Sequence, residues 1–402
     1  MNLNKKITFE SLMFYGILSL LVIKLLFSYL NEELAWWTRH FTPNYIKYNP
    51  LGMPVNTTEY VEYLLIPLMF IYLTVYFRKV GILLIPIFIT FILYILNLFT
   101  AFYTSSELLD SLKYALKIST PIYFFCVLVV HTKLTGKSIK NELVIFVAIC
   151  AFLSVIALLL FNPTFNRGSF RWPVFFSGLH THNYVLAALF VGVSYMLKNK
   201  KWYMYSFMLA SFLFLIIGYN VRTVIVFYFL FIVVMLYLTS GFFRYLYAKA
   251  LLFIPFVLGL ALIYLRDFDW NRFSSGRLTM YEEKLDILED YGFKDYLLGR
   301  GWGSDLIKTK EWWWEKKGSH NDFLTYVVEN GIPFMIVFTL LLLSLLFLSK
   351  RVSMILATLI IGYLLTSLLS NGFAVRPQAA YMFFMVFAYI YSNNKSYITK
   401  NE

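Results

Sequence analysis

The residues best suited to chemistry in this chain are basic, and one of them is His320. It lies in Ser319-His320-Asn321-Asp322, directly before a long apolar run. A serine followed three residues later by an aspartate is a capping-box pattern, which predicts that His320 lies in the first turn of a helix. The positive end of the helix dipole lowers the pKa of a histidine, so we expect a neutral imidazole that accepts a proton from a hydroxyl group. The alternative is a histidine with a purely structural role at the helix end.

Arg277 is the second candidate and lies in the polar stretch 272–281. Apolar residues at helical spacing run through and beyond this stretch, at Leu278, Tyr281, Leu285 and Leu288. Ser274 or Ser275 can cap the predicted helix, which places Arg277 in its first turn. A guanidinium beside a helix N-terminus is suited to binding phosphate or pyrophosphate. The alternative is an ion pair with a nearby acid such as Glu282.

Arg222 begins an apolar run, where a charge is costly and therefore indicates function. The glycines of Gly299-Arg300-Gly301-Trp302-Gly303 permit a tight turn with exposed backbone N–H groups. Further candidates for substrate contact are Arg167, Arg171, His182, Asn321, Arg300 and Arg376. Each alone fits a solvated loop charge, but together they predict a site for an anionic lipid headgroup. The pattern assigns no role to His180.

These residues must be positioned by a membrane-embedded bundle, because 60% of the 402 residues are hydrophobic and only 14% are charged. A soluble domain carries about a quarter charged residues. Apolar runs long enough to span a bilayer predict an all-α polytopic membrane protein. We expect twelve spans, at roughly 9–30, 61–77, 80–99, 114–132, 143–161, 184–198, 203–220, 223–240, 249–265, 324–349, 352–370 and 379–393.

The placement of lysine and arginine predicts the orientation of this bundle. With the N-terminus in the cytoplasm, every inner loop carries basic residues, which the positive-inside rule requires. Both termini are then cytoplasmic, and the net charge of +13 reflects topology rather than nucleic-acid binding. Cys126 and Cys150 lie inside apolar runs and are expected to be small core residues.

Three regions follow from the predicted spans. Residues 1–265 form a bundle of nine spans with outer loops at 31–60 and 162–183, residues 266–323 form a large outer loop, and residues 324–402 form three more spans and a cytoplasmic tail. The large outer loop is the expected catalytic region. No cluster of His, Cys and Asp has metal-ligand spacing, and no G-x-S-x-G elbow occurs.

In combination, the outer-loop motifs resemble the O-antigen ligase and Wzy polymerase superfamily of bacterial membrane glycosyltransferases. The resemblance rests on His320-Asn321-x-x-Leu324 followed by Gly331-Ile332, and on Gly276-Arg277-Leu278 shortly before the glycine-rich turn. Val221-Arg222-Thr223 and Arg167-Gly168-x-Phe170 with Asn183 match in sequence order. It covers roughly residues 160–335, and Leu-His-Thr-His at 179–182 departs from the small residues usual there.

The resemblance implies a GT-C-like, inverting and metal-independent glycosyltransferase without a cofactor, in the bacterial plasma (inner) membrane. Its donor would be an undecaprenyl-pyrophosphate-linked oligosaccharide, with Arg222 and Arg277 holding the pyrophosphate and His320 activating the acceptor hydroxyl. Arg167 would be a further pyrophosphate or sugar contact. Other partners it implies are membrane lipids, a glycan acceptor, a flippase and a chain-length regulator, and no nucleic acid.

Three functions follow in order of preference. A repeat-unit polymerase would extend a surface polysaccharide such as lipopolysaccharide O-antigen or capsule on the outer face. A ligase would transfer the polymer to lipid A-core or another surface acceptor. A transporter or flippase would instead carry charges at mid-span depth, where Lys24 and Lys117 are the charges assigned to predicted spans. Because polar groups otherwise collect at one face, an enzyme is favoured.

Overall fold

The computed structural model is predominantly helical. It describes residues 8–30, 57–160, 164–166, 169–174, 178–247, 249, 269, 271, 276–310, 313 and 316–394. Its longer helices are α1 (Phe9–Leu30), α2 (Thr57–Val75), α4 (Leu84–Thr104), α5 (Leu108–Thr135), α6 (Lys140–Leu160), α7 (Leu179–Met196), α8 (Lys201–Gly218), α9 (Arg222–Thr239), α10 (Arg277–Glu289), α12 (Asp322–Lys350), α13 (Met354–Leu369) and α14 (Pro377–Ser392).

Shorter elements connect these helices. Helix α3 (Phe77–Val80) leads through a 3₁₀ turn (Gly81–Leu83) into α4, and α11 (Phe293–Leu298) follows α10. A second 3₁₀ turn (Phe373–Val375) precedes α14. Strands β1 (Thr164–Asn166) and β2 (Ser169–Arg171) pair as an antiparallel hairpin, which is the one departure from an all-α fold in the described residues.

The structure confirms the helical membrane class. Among the described residues, seven helices are long and apolar enough to cross a membrane, and two shorter apolar helices cover Tyr60–Val75 and Met354–Leu369. Eleven of the predicted spans overlap a helix. The twelfth, at 249–265, lies outside the described residues except for Lys249.

Helix α14 forms the centre of the bundle. Every residue from Gln378 to Tyr391 is buried, and the helix packs against α5 and α7. A helix that is apolar all round is suited to a position surrounded by other helices. Cys126 on α5 and Cys150 on α6 are both fully buried and free, as the sequence predicts.

A buried ion pair lies within the bundle, between Lys24 on α1 and Glu62 on α2. The Tyr381 hydroxyl donates to the Glu62 carboxylate at 2.7 Å. Glu62 falls inside the predicted span at 61–77, so the sequence assignment of Lys24 and Lys117 as the span charges is incomplete. Pairing makes both charges tolerable at this depth, because an isolated charge in the hydrocarbon region is costly.

Helix α12 is broken at Gly331, as the Gly331-Ile332-Pro333 sequence predicts. Gly331 has φ +82° and ψ +169°, a conformation that is essentially restricted to glycine. The break frees backbone carbonyls of the preceding turn. The N–H groups of Arg300 and Gly301 donate to the carbonyls of Val328 and Glu329 at 3.0 and 2.9 Å.

The glycine-rich turn therefore closes the kink in α12. Gly299, Gly301 and Gly303 all have positive φ, which confirms the predicted tight turn. The expectation that its N–H groups are exposed is wrong for Arg300 and Gly301, because the kinked helix supplies acceptors for them.

We predict that Gly331→Ala destabilises the protein strongly. The added Cβ would lie 2.5 Å from the backbone oxygen of Leu297, and the backbone strain alone costs about 1–3 kcal/mol. Thermal unfolding of the purified protein in detergent measures this as a lower Tm. Gly303→Ala is the matched control, since it has positive φ but nothing within 4 Å of the added Cβ. Equal losses for the two variants would contradict a steric role for Gly331.

Candidate functional site

Arg277 is the first residue of α10 and ties that helix to the end of α13. Its Nη1 donates to the carbonyl oxygen of Leu369 at 2.7 Å. The predicted helix is confirmed, but Gly276 with φ +78° occupies the N-cap, and Ser274 and Ser275 lie outside the described residues. Met280 and Lys284 form the buried face of α10.

His320 lies before α12 rather than in its first turn, which corrects the capping-box prediction. Asn321 is the N-cap, and its side-chain oxygen accepts from the N–H of Leu324 at 3.1 Å. His320 has φ +50°, so the backbone turns sharply into the helix. The reason is that the Ser319 side chain is engaged elsewhere, with Asp305.

Asp305 organises the loop that carries His320. Its carboxylate forms an ion pair with Lys284 at 2.7 Å and accepts from the Ser319 N–H at 2.7 Å and the Thr325 hydroxyl at 2.8 Å. Lys284 is fully buried and also donates to the carbonyl oxygen of Lys317 at 3.1 Å. These contacts fix the backbone on both sides of His320.

Sequence reasoning missed Lys284 and Asp305. Both occur in a polar loop rich in lysine and acid, where nothing in the residue pattern separates a buried pair from solvated charges. Burial lowers the pKa of Lys284, while Asp305 acts in the opposite direction by favouring the charged form.

Arg376 links the loop before α14 to the start of α7. Its Nε donates to the carbonyl oxygen of Asn371 at 3.0 Å, and its Nη1 donates to the Thr181 hydroxyl at 3.3 Å. The guanidinium lies 5.7 Å from the centre of the Tyr184 ring. Arg376 therefore sits over the first turns of α7.

Arg171 and His182 both contact Tyr219, at the end of α8. The Arg171 Nη1 donates to the Tyr219 carbonyl at 2.8 Å, and the His182 Nε2 lies 3.1 Å from the Tyr219 hydroxyl. His182 is fully buried. Its predicted role in substrate contact has no support in this position, which is that of a packed side chain.

Arg222 is the first residue of α9 and adjoins the same region through its neighbour Thr223. The Tyr184 hydroxyl donates to the Thr223 hydroxyl at 3.0 Å. Arg376 lies over the ring of the same tyrosine. Tyr184 therefore contacts both the Arg376 guanidinium and Thr223, the residue after Arg222.

Basic side chains from separate segments act electrostatically on His180 and His320, and we term Arg171, His180, Arg277, His320 and Arg376 the cationic cluster. Burial lowers the pKa of His320 to about 3, and the charges of Arg277, Arg376 and two lysines add to this effect. Burial likewise lowers the pKa of His180, together with Arg376, His320, Arg277 and Arg171. Both imidazoles are therefore neutral at pH 7.

Asp322 lies two residues after His320 and was not predicted as a site residue. It begins α12, is fully buried, and its Oδ2 accepts from the Gly372 N–H at 3.0 Å. Its negative charge acts on Arg376 and favours the charged guanidinium.

The remaining predicted site residues are Arg300, Asn321 and Arg167. Arg300 makes its contacts with the Asp295 carboxylate at 3.3 Å and with the Tyr291 ring at 4.1 Å, on the far side of the glycine-rich turn from the kink. Asn321 is occupied as the cap of α12. Arg167 lies outside the described residues.

No protein-family model matches the chain, and comparison with curated proteins finds no match. Within the described part of the chain, no group of three or more His, Cys, Asp and Glu side chains is placed to hold a metal ion. Guanidinium groups and neutral imidazoles at helix ends are suited to binding an anion with several oxygens and to moving a proton beside it.

We predict that Lys284→Ala destabilises the protein by about 3–5 kcal/mol, because it leaves the buried Asp305 carboxylate without its partner charge. Chemical or thermal unfolding in detergent measures the loss. Lys294→Ala is the matched control on the same loop, since Lys294 is exposed. If both variants unfold at the same temperature as the wild type, Asp305 does not depend on Lys284.

Proposed function

We propose that this protein is a bacterial polysaccharide repeat-unit polymerase of the Wzy type. It transfers a glycan from undecaprenyl pyrophosphate to a hydroxyl group at the non-reducing end of another lipid-linked oligosaccharide. The reaction takes place at the outer face of the plasma membrane, inverts the anomeric carbon and needs no metal. Twelve spans, a GT-C-like arrangement and cytoplasmic termini belong to this proposal.

The observation that carries the proposal is the meeting of Arg277, Arg376 and His320 in the cationic cluster. Arg277 comes from the large outer loop, Arg376 from the loop before α14, and His320 from the loop before α12. A diphosphate presents several anionic oxygens to which such guanidinium groups can donate. The pyrophosphate of a lipid carrier, held at the membrane surface, has the charge and the location that this cluster fits.

The position of the cluster at one end of the bundle supports a reaction at a membrane surface. Asp322 begins and Lys350 ends the same 29-residue helix, so the cluster and the basic Lys350-Arg351 pair lie at opposite helix ends. The basic pair belongs to the predicted cytoplasmic side. The cluster then faces the outer side of the membrane. This is the side on which the Wzy polymerases that the sequence resembles extend lipid-linked oligosaccharides.

The proposed reaction balances through groups of this chain. The acceptor hydroxyl oxygen forms a bond to the anomeric carbon of the donor, and the bond between that carbon and the phosphate oxygen breaks. His320, neutral in the free protein, takes the proton of the acceptor hydroxyl. Arg277 and Arg376 stabilise the negative charge of the departing undecaprenyl pyrophosphate.

The ligase alternative uses the same chemistry with a different acceptor. Deletion of the gene distinguishes the two, because single repeat units on the usual anchor indicate a polymerase, whereas full-length chains left on the lipid carrier indicate a ligase. One observation, the buried Lys24–Glu62 ion pair, favours the transporter alternative. That pair is neutral overall and is hydrogen-bonded by Tyr381. A transport function based on it does not explain the cationic cluster.

We predict that His320→Ala lowers the rate of polymer formation by roughly 10²- to 10⁴-fold, the range for loss of a general base. The measurement is gel analysis of the polysaccharide made by cells that carry the variant, with the protein level in the membrane measured in parallel. Undiminished polymer at a normal protein level would remove His320 from the mechanism.

We predict that Arg277→Lys lowers activity by roughly 10- to 100-fold, because a lysine cannot reproduce the planar fork of hydrogen-bond donors. The measurement is the transfer rate of purified protein with a lipid-linked oligosaccharide. Arg300→Lys is the matched control on the same outer loop, since Arg300 pairs with Asp295. Similar losses for the two variants would show that Arg277 acts through the fold alone.

A further inference from the structure

His180 occupies the first turn of α7, directly beside Arg376. Its neighbour Thr181 accepts a hydrogen bond from the Arg376 Nη1 at 3.3 Å. Tyr184, one helical turn further on, lies under the same guanidinium at 5.7 Å. The start of α7 is thus held against Arg376 by Thr181 and Tyr184, the residues one and four positions after His180.

The two histidines of this turn have different surroundings. His182 packs against Tyr219, with its Nε2 3.1 Å from the tyrosine hydroxyl. Residues two apart on a helix point to different sides, so His180 is directed away from Tyr219. The charges that act on it are those of Arg376, Arg277 and Arg171, together with the His320 imidazole.

The Nδ1 atom of His180 is buried and has no hydrogen-bond partner among the described residues. A buried polar atom without a partner costs roughly 1–3 kcal/mol, so a persistent one in a native fold requires a reason. A neutral imidazole has one N–H donor and one acceptor nitrogen. The surrounding guanidinium groups attract an anion, and an N–H donor at Nδ1 would complete the binding of its oxygens.

We propose that His180 is a second imidazole of the anion site and that its Nδ1–H donates to a phosphate oxygen of the bound diphosphate. This inference rests on the proposed function and names a contact that the resemblance does not supply, since residues 179–182 depart from the pattern of that superfamily. His320 then serves the acceptor hydroxyl, and His180 serves the diphosphate. The two imidazoles of the cluster would therefore contact different groups of the bound reactants.

The test measures the affinity of the full-length protein in detergent for inorganic pyrophosphate, by calorimetry or by the shift in Tm. We expect His180→Ala to weaken binding roughly tenfold, the loss expected for one hydrogen bond to a charged group. His180→Asn places an amide N–H near the position of Nδ1 and should restore most of the affinity. His180→Gln places its amide near the position of Nε2 instead and should not restore the affinity.

His182→Gln is the matched control, since it changes an imidazole of the same helix turn that packs against Tyr219. It should leave pyrophosphate affinity unchanged. If His180→Ala binds as the wild type does while Arg277→Ala has lost binding, the inference about His180 is overturned and the proposed function stands.

If neither Arg277→Ala nor Arg376→Ala weakens pyrophosphate binding, the anion site itself is absent and the proposed function fails with it. If His180→Ala does not fold, the comparison of the Asn and Gln variants decides the question. Equal affinity in those two variants would overturn the assignment of Nδ1 as the donor.

Discussion

The buried ion pair between Lys284 and Asp305 is the constraint on which the candidate site depends. Asp305 receives Lys284 from α10, the Ser319 N–H from the loop before α12, and Thr325 from α12 itself. One carboxylate thus joins the two segments that carry Arg277 and His320. A buried pair of this kind contributes less to stability than to geometry, because desolvation offsets much of the Coulomb attraction. Its structural consequence is a fixed separation between a guanidinium and an imidazole.

The cationic cluster is tolerated by the fold because its arginines also serve as structural donors. Arg277 donates to the exposed end of α13, Arg171 to the end of α8, and Arg376 to the loop before α14. Backbone carbonyls at these positions lack partners within their own helices. Each guanidinium therefore donates to a backbone carbonyl of the fold, and Arg376 donates to the Thr181 hydroxyl as well, while the positive charges remain close to the two histidines.

Periodicity and composition predicted what depends on local sequence. The apolar runs, the helix that begins at Arg277 and the break at Gly331 follow from hydropathy and from glycine and proline chemistry. Contacts between distant segments could not be predicted in the same way. Ser319 matched a helix cap but bonds to Asp305, and the glycine-rich turn matched a turn with exposed N–H groups, but two of these groups donate to carbonyls of α12. Arg300 and Arg277 both follow a glycine in the same loop, and only their contacts in the structure distinguish them.

The depressed basicity of His320 has a consequence for the order of events in the proposed reaction. In the free protein, burial lowers the pKa of His320 to about 3 and the charges of Arg277 and Arg376 add to this effect, so the imidazole is a weak base. A seated diphosphate offsets those charges, and the imidazole regains basicity. Proton abstraction is then coupled to occupancy by the donor. If the proposed reaction holds, such activation would favour an ordered sequence in which the donor binds before the acceptor hydroxyl is deprotonated.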